Sequence, residues 1–248
     1  MAYKKVACPE CGEEYGSLGQ HWSYNPEHRP EFTEEQKDII VASLMGDGCL
    51  KRQNKHSHIE WEMISQNYLE WIDDMFGCLS TGVSLKETAK ESAKRNRDSG
   101  FRPNAKKENY SDVYRLQTRT HPFLSNFNSW YGCGKRVWPK DIELTPTVLL
   151  HWYVQDGTQV NSRKNNYITF AASNEYGNYD KLDSYFENAN LPTPNNYQEN
   201  TQTTNGNNEL DIRFNVKESK ELWDYMLSGP RQTPLPDFGY KFPDKYHE

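Results

Sequence analysis

The chain has 248 residues and a formal net charge of −6 at neutral pH, and its mean hydropathy is −1.01. No apolar run reaches the 18 residues that a membrane-spanning helix requires and no secretory signal is recognisable, so we expect a cytoplasmic protein without a membrane partner. The acidic balance argues weakly against bulk attraction to nucleic acid, unless the acidic residues lie on faces away from the ligand. Aromatic residues, which make up 13% of the chain, supply the interior.

The first thirty residues carry two cysteines and two histidines at the spacing of metal ligands. Cys8 and Cys11 are separated by two residues, and His21 and His28 follow them. Thiolate and neutral imidazole suit tetrahedral Zn²⁺, and so short a segment has too little core to fold unaided. We therefore predict a structural zinc site in a C2H2-like finger over residues 1–30. The alternative is an unstructured tail with incidental cysteines.

An apolar helix is predicted over Gln36–Leu50 and ends in a lone carboxylate, Asp47, between two glycines. Thr33 with Gln36 can form a capping box at its start. Small residues along one face suit the close approach of a second helix. They are Ala42, Ser43 and Gly46.

The remaining chain alternates short strands and helices, and their order occurs twice at a period near 109 residues (IEWEMISQNYLEWIDDMF, then YITFAASNEYGNYDKLDSYF). A second apolar helix, TVLLHWYVQDG, again ends in Asp-Gly. A short helix is expected over residues 121–130, a solvated charged loop over 86–109, and a surface hairpin or loop over 192–208. These patterns predict an α+β fold of duplicated αββαββα units.

The two Asp-Gly helices point to a metal site. If they pack about a pseudo-dyad, Asp47 and Asp156 meet at their ends. Two adjacent carboxylates repel and stay ionised only with compensating charge, for which a hard divalent cation is suited. We expect Mg²⁺, or Mn²⁺ in its place, in a site that can activate water and stabilise the leaving oxygen of a phosphodiester.

These residues resemble the two motifs of a single-chain LAGLIDADG homing endonuclease. The resemblance covers roughly residues 34–245 and rests on four stretches. They are GDG at 46–48, KRVWPKDIELTP at 135–146, LTPTVLLHWYVQDGT at 144–158 and YKFP at 240–243.

The resemblance implies two pseudo-symmetric subdomains, residues 31–143 and 144–248, whose antiparallel sheets form a β saddle over DNA. It further implies a monomer that cleaves a double-stranded DNA target site with divalent metal, whose gene either lies in an intron or other mobile element or stands free. In a prokaryotic or viral host such a protein would associate with the nucleoid.

The resemblance also assigns residues to the active centre. The acidic metal ligands fall on Asp47 and Asp156, each preceded by a neighbour at the same site, Gly46 and Gln155. Basic residues would polarise the hydration network or offset phosphate charge; because Arg cannot act as a base, electrostatic stabilisation is the expected role. The basic residues are Lys135, Arg136 and Lys241. The second helix departs from the small-residue pattern, since it carries His151, Trp152 and Gln155.

Base-edge readers are expected on the exposed strand faces, because Arg, Lys, Gln and Asn recognise purines in the major groove. Alternation puts Arg115, Gln117 and Arg119 on one face, and Arg213, Asn215 and Lys217 on an equivalent face. The alternative is that these faces are merely solvated. The further candidates are Lys51, Arg52, Gln53, Asn54, Lys55, Asn161, Arg163 and Lys164.

Two other functions compete with a nuclease. The same fold serves maturases and transcription regulators, which bind RNA or DNA without active carboxylates. A zinc-dependent structural module with a degenerate domain is the third reading. Retention of both Asp47 and Asp156, with basic partners, favours the enzyme.

Overall fold

The computed structural model of the chain describes residues 5–53, 55–134, 136–162, 165–200, 208–230 and 235–246. Helices and antiparallel strands alternate through these ranges, which confirms the α+β prediction. The helices are α1 (Leu18–Tyr24), α2 (Glu34–Met45), α3 (Gln66–Phe76), α4 (Ala89–Asp98), α5 (Pro122–Ser125), α6 (Pro146–Asp156), α7 (Tyr179–Asn188) and α8 (Val216–Met226). The strands are β1 (Val6–Ala7), β2 (Glu14–Tyr15), β3 (Cys49–Gln53), β4 (His56–Met63), β5 (Ser84–Glu87), β6 (Val113–Gln117), β7 (Gly157–Ser162), β8 (Asn165–Ala171), β9 (Asn196–Asn200) and β10 (Glu209–Arg213).

The chain divides into two compact units, each drawn from two stretches of sequence. The first unit comprises residues 1–36 and 48–126, and the second comprises 37–47 and 127–248. Most of α2 therefore belongs with the later half of the sequence. Within the described ranges, no helix combines the length and apolarity that crossing a membrane requires.

Each unit contains one four-stranded antiparallel sheet, and the two sheets share one strand order. The first runs β3-β4-β6-β5 and the second runs β7-β8-β10-β9. The outer hairpin β9–β10 includes part of the segment predicted as a hairpin or loop. The identical order confirms the duplication predicted from the sequence.

In the first unit, alternation along β4 separates a core face from an open face. Ile59 and Trp61 are fully buried, whereas Glu60 between them is not. Helix α3 begins at its cap Ser65, whose hydroxyl accepts from a backbone N–H, and presents Tyr68, Leu69, Ile72 and Phe76 to this core. The open face of the sheet is thereby left to solvent.

A helix occupies much of the segment predicted as a loop, so that prediction was wrong. Thr88 and Glu91 form a reciprocal capping box at the start of α4. Its buried face consists of small residues, Ala89, Ser92 and Ala93. The predicted helix over 121–130 is also shorter, because α5 passes into a 3-10 helix over Asn126–Gly134.

The prediction that Arg213, Asn215 and Lys217 share one strand face was also wrong. Strand β10 ends at Arg213. Asn215 instead caps α8 through a capping box with Glu218. Lys217 lies within that helix, 3.7 Å from the Glu221 carboxylate.

Helix α6 forms the centre of the second unit. Thr145 caps it, Pro146 takes the first turn, and the eight residues 147–154 are buried. A helix that is apolar around its whole circumference must be surrounded by other elements. Trp152 accordingly packs edge-on against Trp138, with 5.4 Å between ring centroids, and against Phe170 at 4.6 Å.

A buried ion pair anchors the segment that precedes α6. Glu175 is fully buried; one of its oxygens accepts from the backbone N–H of Trp138 at 2.8 Å, and the other pairs with Lys181. Lys181 also donates to the Trp138 carbonyl at 2.9 Å. The backbone N–H and the carbonyl of Trp138 are therefore both hydrogen-bonded, two residues after Arg136 in the sequence.

Replacing Glu175 with Ala should lower the free energy of unfolding by about 3–5 kcal/mol, because it leaves the largely buried Lys181 charge without its carboxylate partner. Urea denaturation measures the effect. The control is Glu187→Ala at an exposed position, for which we expect a change within about 0.5 kcal/mol. Equal effects of the two substitutions would show that the buried pair does not stabilise the fold.

Candidate active site

Helices α2 and α6 lie side by side in the second unit, with their C-terminal ends together. Near their starts, the Thr145 hydroxyl donates to the Asp38 carboxylate at 2.7 Å. Near their ends, the Gln155 amide donates to the Ser43 hydroxyl at 3.2 Å and accepts from the Asp47 backbone N–H at 2.9 Å. The contact between Asp47 and Gln155 thus sets one Asp-Gly motif against the other.

The absence of a side chain at Gly46 makes room for Gln155. A Cβ atom placed on Gly46 would lie 2.8 Å from both the Cβ and the Oε1 of Gln155. The larger residue of the second helix therefore fits against the small residue of the first. This explains how the predicted close approach survives the departure of α6 from the small-residue pattern.

Gly46→Ala should destabilise the protein by about 1–3 kcal/mol, because overpacking forces one helix to shift. Gly19→Ala is the control, since a Cβ at Gly19 meets no atom within 4 Å. Thermal denaturation of both variants measures the difference. If Gly46→Ala proved as mild as Gly19→Ala, the tight contact between the helices would be disproved.

At the end of each of the two helices, backbone carbonyl groups accept hydrogen bonds from a cationic side chain. Arg136 Nη1 donates to the carbonyls of Leu44 at 2.9 Å and Gly46 at 2.7 Å. Lys241 Nζ donates to the carbonyls of Val154 and Gly157, both at 2.7 Å. Cations at helix C-termini satisfy orphan carbonyls and oppose the negative end of the helix dipole.

The two aspartates interact with each other and with both cations. Burial first, then the nearby Asp47 charge, raises the pKa of Asp156 to about 7, against the opposing effect of Arg136 and Lys241. The pKa of Asp47 is raised by desolvation from surrounding protein, although its side chain is exposed at the surface. Burial lowers the pKa of Lys241 to about 8 despite both carboxylates. The four groups form one electrostatic cluster.

The donor set fits a hard divalent cation. Two carboxylates supply oxygen ligands, the donors that Mg²⁺ prefers, and their mutual repulsion favours a bound positive charge. The other two residues predicted at the metal already have partners, since the Gly46 carbonyl accepts from Arg136 and the Gln155 amide bonds to α2. Lys135 lies outside the described residues.

The open face of the first sheet carries several of the residues predicted to contact DNA. Lys51 and Arg115 lie 4.0 and 3.9 Å from the Glu60 carboxylate, and the Gln117 amide donates to Glu60. Glu60 was not among the sequence candidates, although its alternating position in IEWEMIS indicated this face. Gln53 shares the face, since it pairs with His56.

Other DNA-contact candidates of this unit lie elsewhere. Arg52 pairs with buried Ser57, and alternation turns it to the opposite side. Arg119 follows the end of β6 and donates to the Cys78 carbonyl at 2.9 Å, so it does not extend the strand face. Lys55 is exposed in the turn after β3, and Asn54 lies outside the described residues.

In the second sheet, Arg213 lies on β10 between Thr169 and Asn196 on the neighbouring strands. Asn161 is exposed near the end of β7, opposite Asn166. Arg163 and Lys164 fall outside the described residues.

Comparison with known proteins identifies the lineage of this arrangement. The profile of the LAGLIDADG DNA endonuclease family matches residues 37–222. The chain belongs to this family. The matched region includes most of α2, all of α6 and both four-stranded sheets. No curated protein sequence matches the chain.

Several solved structures align with the chain at low sequence identity. The homing endonuclease I-WcaI bound to its DNA recognition sequence aligns with a TM-score of 0.64 and 16% identity, covering 88% of this chain and 90% of that one. I-DmoI in complex with DNA and Ca gives 0.46 and 10%, covering 82% and 94%. The N-terminal LAGLIDADG domain of DUF199/WhiA gives 0.44 and 10%, covering 91% and 96%. The I-WcaI alignment shows the fold of the chain.

Ahead of the LAGLIDADG region, four side chains converge in the finger. One ligand atom from each of Cys8, Cys11, His21 and His28 lies within 4.8 Å of every other. Cys11 Sγ is 3.8 Å from His21 Nε2, which is 3.1 Å from His28 Nδ1. The Asn25 amide lies 3.2 Å from the other ring nitrogen of His21 and orients the ring.

The backbone around the first cysteine has the form of a metal-binding turn. The Gly12 N–H donates to the Cys8 carbonyl at 2.9 Å, and Gly12 takes a φ of +74°, which favours glycine. Although desolvation opposes ionisation, hydrogen bonds from the backbone N–H groups of Cys11 and Glu10 lower the pKa of Cys8 to about 6. The predicted ligand set is thus brought together.

Proposed function

We propose that the chain is a divalent-metal-dependent, sequence-specific double-strand DNA endonuclease of the homing type. The observation that carries the proposal is the pair of aspartates at the adjoining ends of two packed helices, each end capped by a cation. A family member that only binds nucleic acid has no need of both carboxylates. Asp47 and Asp156 are both present here, with Arg136 and Lys241 beside them.

Asp47 and Asp156 would hold Mg²⁺ or Mn²⁺ through their carboxylate oxygens. Such a cation lowers the pKa of bound water and neutralises charge on phosphate oxygens. The exposed side chain of Asp47 leaves this site open to a substrate phosphate.

Arg136 and Lys241 act through charge in this proposal. Both side chains donate hydrogen bonds to helix carbonyls, so they first fix the ends of α2 and α6 and thereby position the aspartates. Their positive charges also stabilise negative charge that develops on the phosphate, because fixed charges in a partly buried site need no reorganisation.

Base reading would fall to the open sheet faces. Lys51, Gln53, Arg115 and Gln117 present donors and acceptors on one face, and Arg213 does so on the second sheet. Arg and Lys match guanine, and Gln and Asn match adenine. Glu60 would accept from cytosine or hold Lys51 and Arg115 in place. I-WcaI, which has the same fold, was solved bound to its DNA recognition sequence, and this supports the assignment.

The direct test is a selection for cleaved molecules from a randomised duplex library incubated with the protein and Mg²⁺. We expect recovery of one related set of cut sites, with cleavage abolished by EDTA. Binding to a defined sequence with no cleavage in Mg²⁺ or Mn²⁺ would favour the non-cleaving regulator instead. Recovery of unrelated sequences would reject sequence specificity.

We further infer that Cys8, Cys11, His21 and His28 hold one structural Zn²⁺. Their ligand atoms lie within 4.8 Å of one another, which is compatible with tetrahedral coordination by two thiolates and two imidazoles. The finger core that surrounds them is small, with Leu18 and Trp22 buried in α1. Metal binding would therefore supply most of the folding free energy of this segment.

A further inference from the structure

The finger is attached to the first sheet by specific contacts within the first unit. The Pro30 carbonyl lies 3.2 Å from His121 Nε2. Phe32 packs against His121, with 4.6 Å between ring centroids, and against Phe123 at 5.6 Å. These contacts hold the finger at one end of the sheet.

A cleft separates the finger from that end of the sheet; we call it the finger cleft. Helix α1 contributes Gln20 and Ser23, which are exposed and three residues apart, so they share one helix face. The finger cleft is lined by Gln20, Ser23, Arg29, Lys55, His58 and Arg119, among other residues.

The charge of the finger cleft differs from that of the chain as a whole. The sequence has 35 acidic and 29 basic residues, yet among the described residues that line this cleft there are three Arg or Lys side chains and no Asp or Glu. Lys55 is exposed. An acid-free basic surface on an acidic protein indicates a polyanionic ligand.

Two nitrogen atoms of the lining also lack partners. Arg29 Nε and His58 Nδ1 are buried and make no hydrogen bond within the described part of the chain. Arg29 is held by its other end, since Nη2 donates to the Trp22 carbonyl at 3.1 Å. The residues that line the cleft thus include two polar groups whose hydrogen-bonding capacity the described part of the chain does not use.

The finger cleft continues the open face of the first sheet. His58 on β4 pairs with Lys51 on β3, and His56 pairs with Gln53, so the strand residues that line the cleft share a face with the proposed base readers. A duplex lying on that face would reach α1 at its end. A helix is about 10 Å across and DNA rises about 3.4 Å per base pair, so α1 would cover roughly three base pairs.

We propose that α1 and the finger side of the finger cleft bind the DNA duplex at one end of the target site, next to the base pairs that Gln53 and Gln117 contact from the sheet side of the same cleft. This inference rests on the proposed endonuclease function. Lys55 and Arg29 contact phosphates, and Gln20 and Ser23 face the groove, where Gln reads adenine and Ser bonds to either base edges or phosphate. The finger thereby lengthens the recognition site.

The first experiment measures binding of the duplex recovered from the cleavage selection, in EDTA, over a range of salt concentrations. Lys55→Gln should weaken binding and reduce the slope of log affinity against log salt by about 0.9, the value of one phosphate contact. Lys90→Gln removes the same charge at an exposed position of α4 and should leave the slope unchanged. An identical slope for both variants would overturn the inference.

The second experiment maps hydroxyl-radical protection with a Gln20→Glu/Ser23→Glu double variant, whose zinc content checks that the finger is intact. Protection should be lost over roughly three base pairs at one end of the site only. Unchanged or uniformly weaker protection overturns the inference. If the wild-type chain neither binds nor cuts any duplex of the library, the proposed function itself fails; if it cuts while both variants behave as wild type, only the role of the finger fails.

Discussion

Asp47→Asn and Asp156→Asn should each reduce DNA cleavage in Mg²⁺ by about a thousandfold or more, because each removes an anionic ligand from a two-carboxylate metal site. Asparagine keeps the size of the side chain, so the packing of α2 against α6 is preserved. Binding of the target duplex should persist, since each substitution removes a negative charge close to the phosphates. Plasmid linearisation and a binding assay in EDTA measure the two effects separately.

Asp141→Asn supplies the control, because Asp141 is exposed in the same unit and lies outside the proposed site. It should cleave at the wild-type rate. Undiminished cleavage by both active-site variants would falsify the assignment of the aspartates. Loss of binding together with cleavage would mean that these residues maintain the structure rather than act on the phosphodiester.

The second large effect is expected at the finger. Cys8→Ser should reduce the zinc content from one ion per chain to none, because a serine hydroxyl replaces a thiolate in the ligand set. Structural zinc contributes about 10–16 kcal/mol to the folding of comparable fingers, so residues 5–30 should lose their order. Metal analysis and amide hydrogen exchange of this segment measure the two consequences.

Cys78→Ser is the matched control, because Cys78 is a free cysteine outside the ligand cluster. It should retain one zinc per chain and a protected finger. A Cys8→Ser protein that still bound one zinc would refute the proposed ligand set. The cleavage assay on the Asp variants and the zinc analysis of the Cys variants are independent measurements. The assignment of the aspartates can therefore fail while the zinc ligand set holds, and the reverse.

The elements that local signals specify were predictable from the sequence. The reciprocal bonds of Thr33 and Gln36, at 2.9 and 3.2 Å, confirm the predicted capping box. The duplicated order of strands and helices also followed from periodicity and turn residues. The four finger residues were predictable as a set because the two cysteines share one turn and the two histidines follow within twenty residues, on α1 and on the 3-10 helix Pro26–His28.

Some errors came from local signals that were present but weak. The buried face of α4 is made of Ala and Ser, so the helix lacks the large apolar stripe by which amphipathic helices are recognised. Asn215 continues an alternating pattern, yet Glu218 three residues later is a capping signal that outweighs it. In both places, the helix-capping residues predicted the structure better than the hydrophobic pattern did.

Other features depend on contacts between distant parts of the chain. Glu175 and Lys181 look like ordinary charged residues of a solvated helix start, and only the fold shows that they bury their charges around Trp138. The bonds from Gln155 to Asp47 and Ser43 span more than a hundred residues. No local pattern encodes such pairs.

The charged groups of the candidate site come from widely separated parts of the sequence. The cap on α2 comes from Arg136, and the cap on α6 comes from Lys241, close to the end of the described chain. A nascent or truncated chain that stops before residue 241 carries both aspartates but lacks one of the charges that flank them. In the proposed endonuclease, the charged cluster is therefore assembled only in a chain that extends past residue 241.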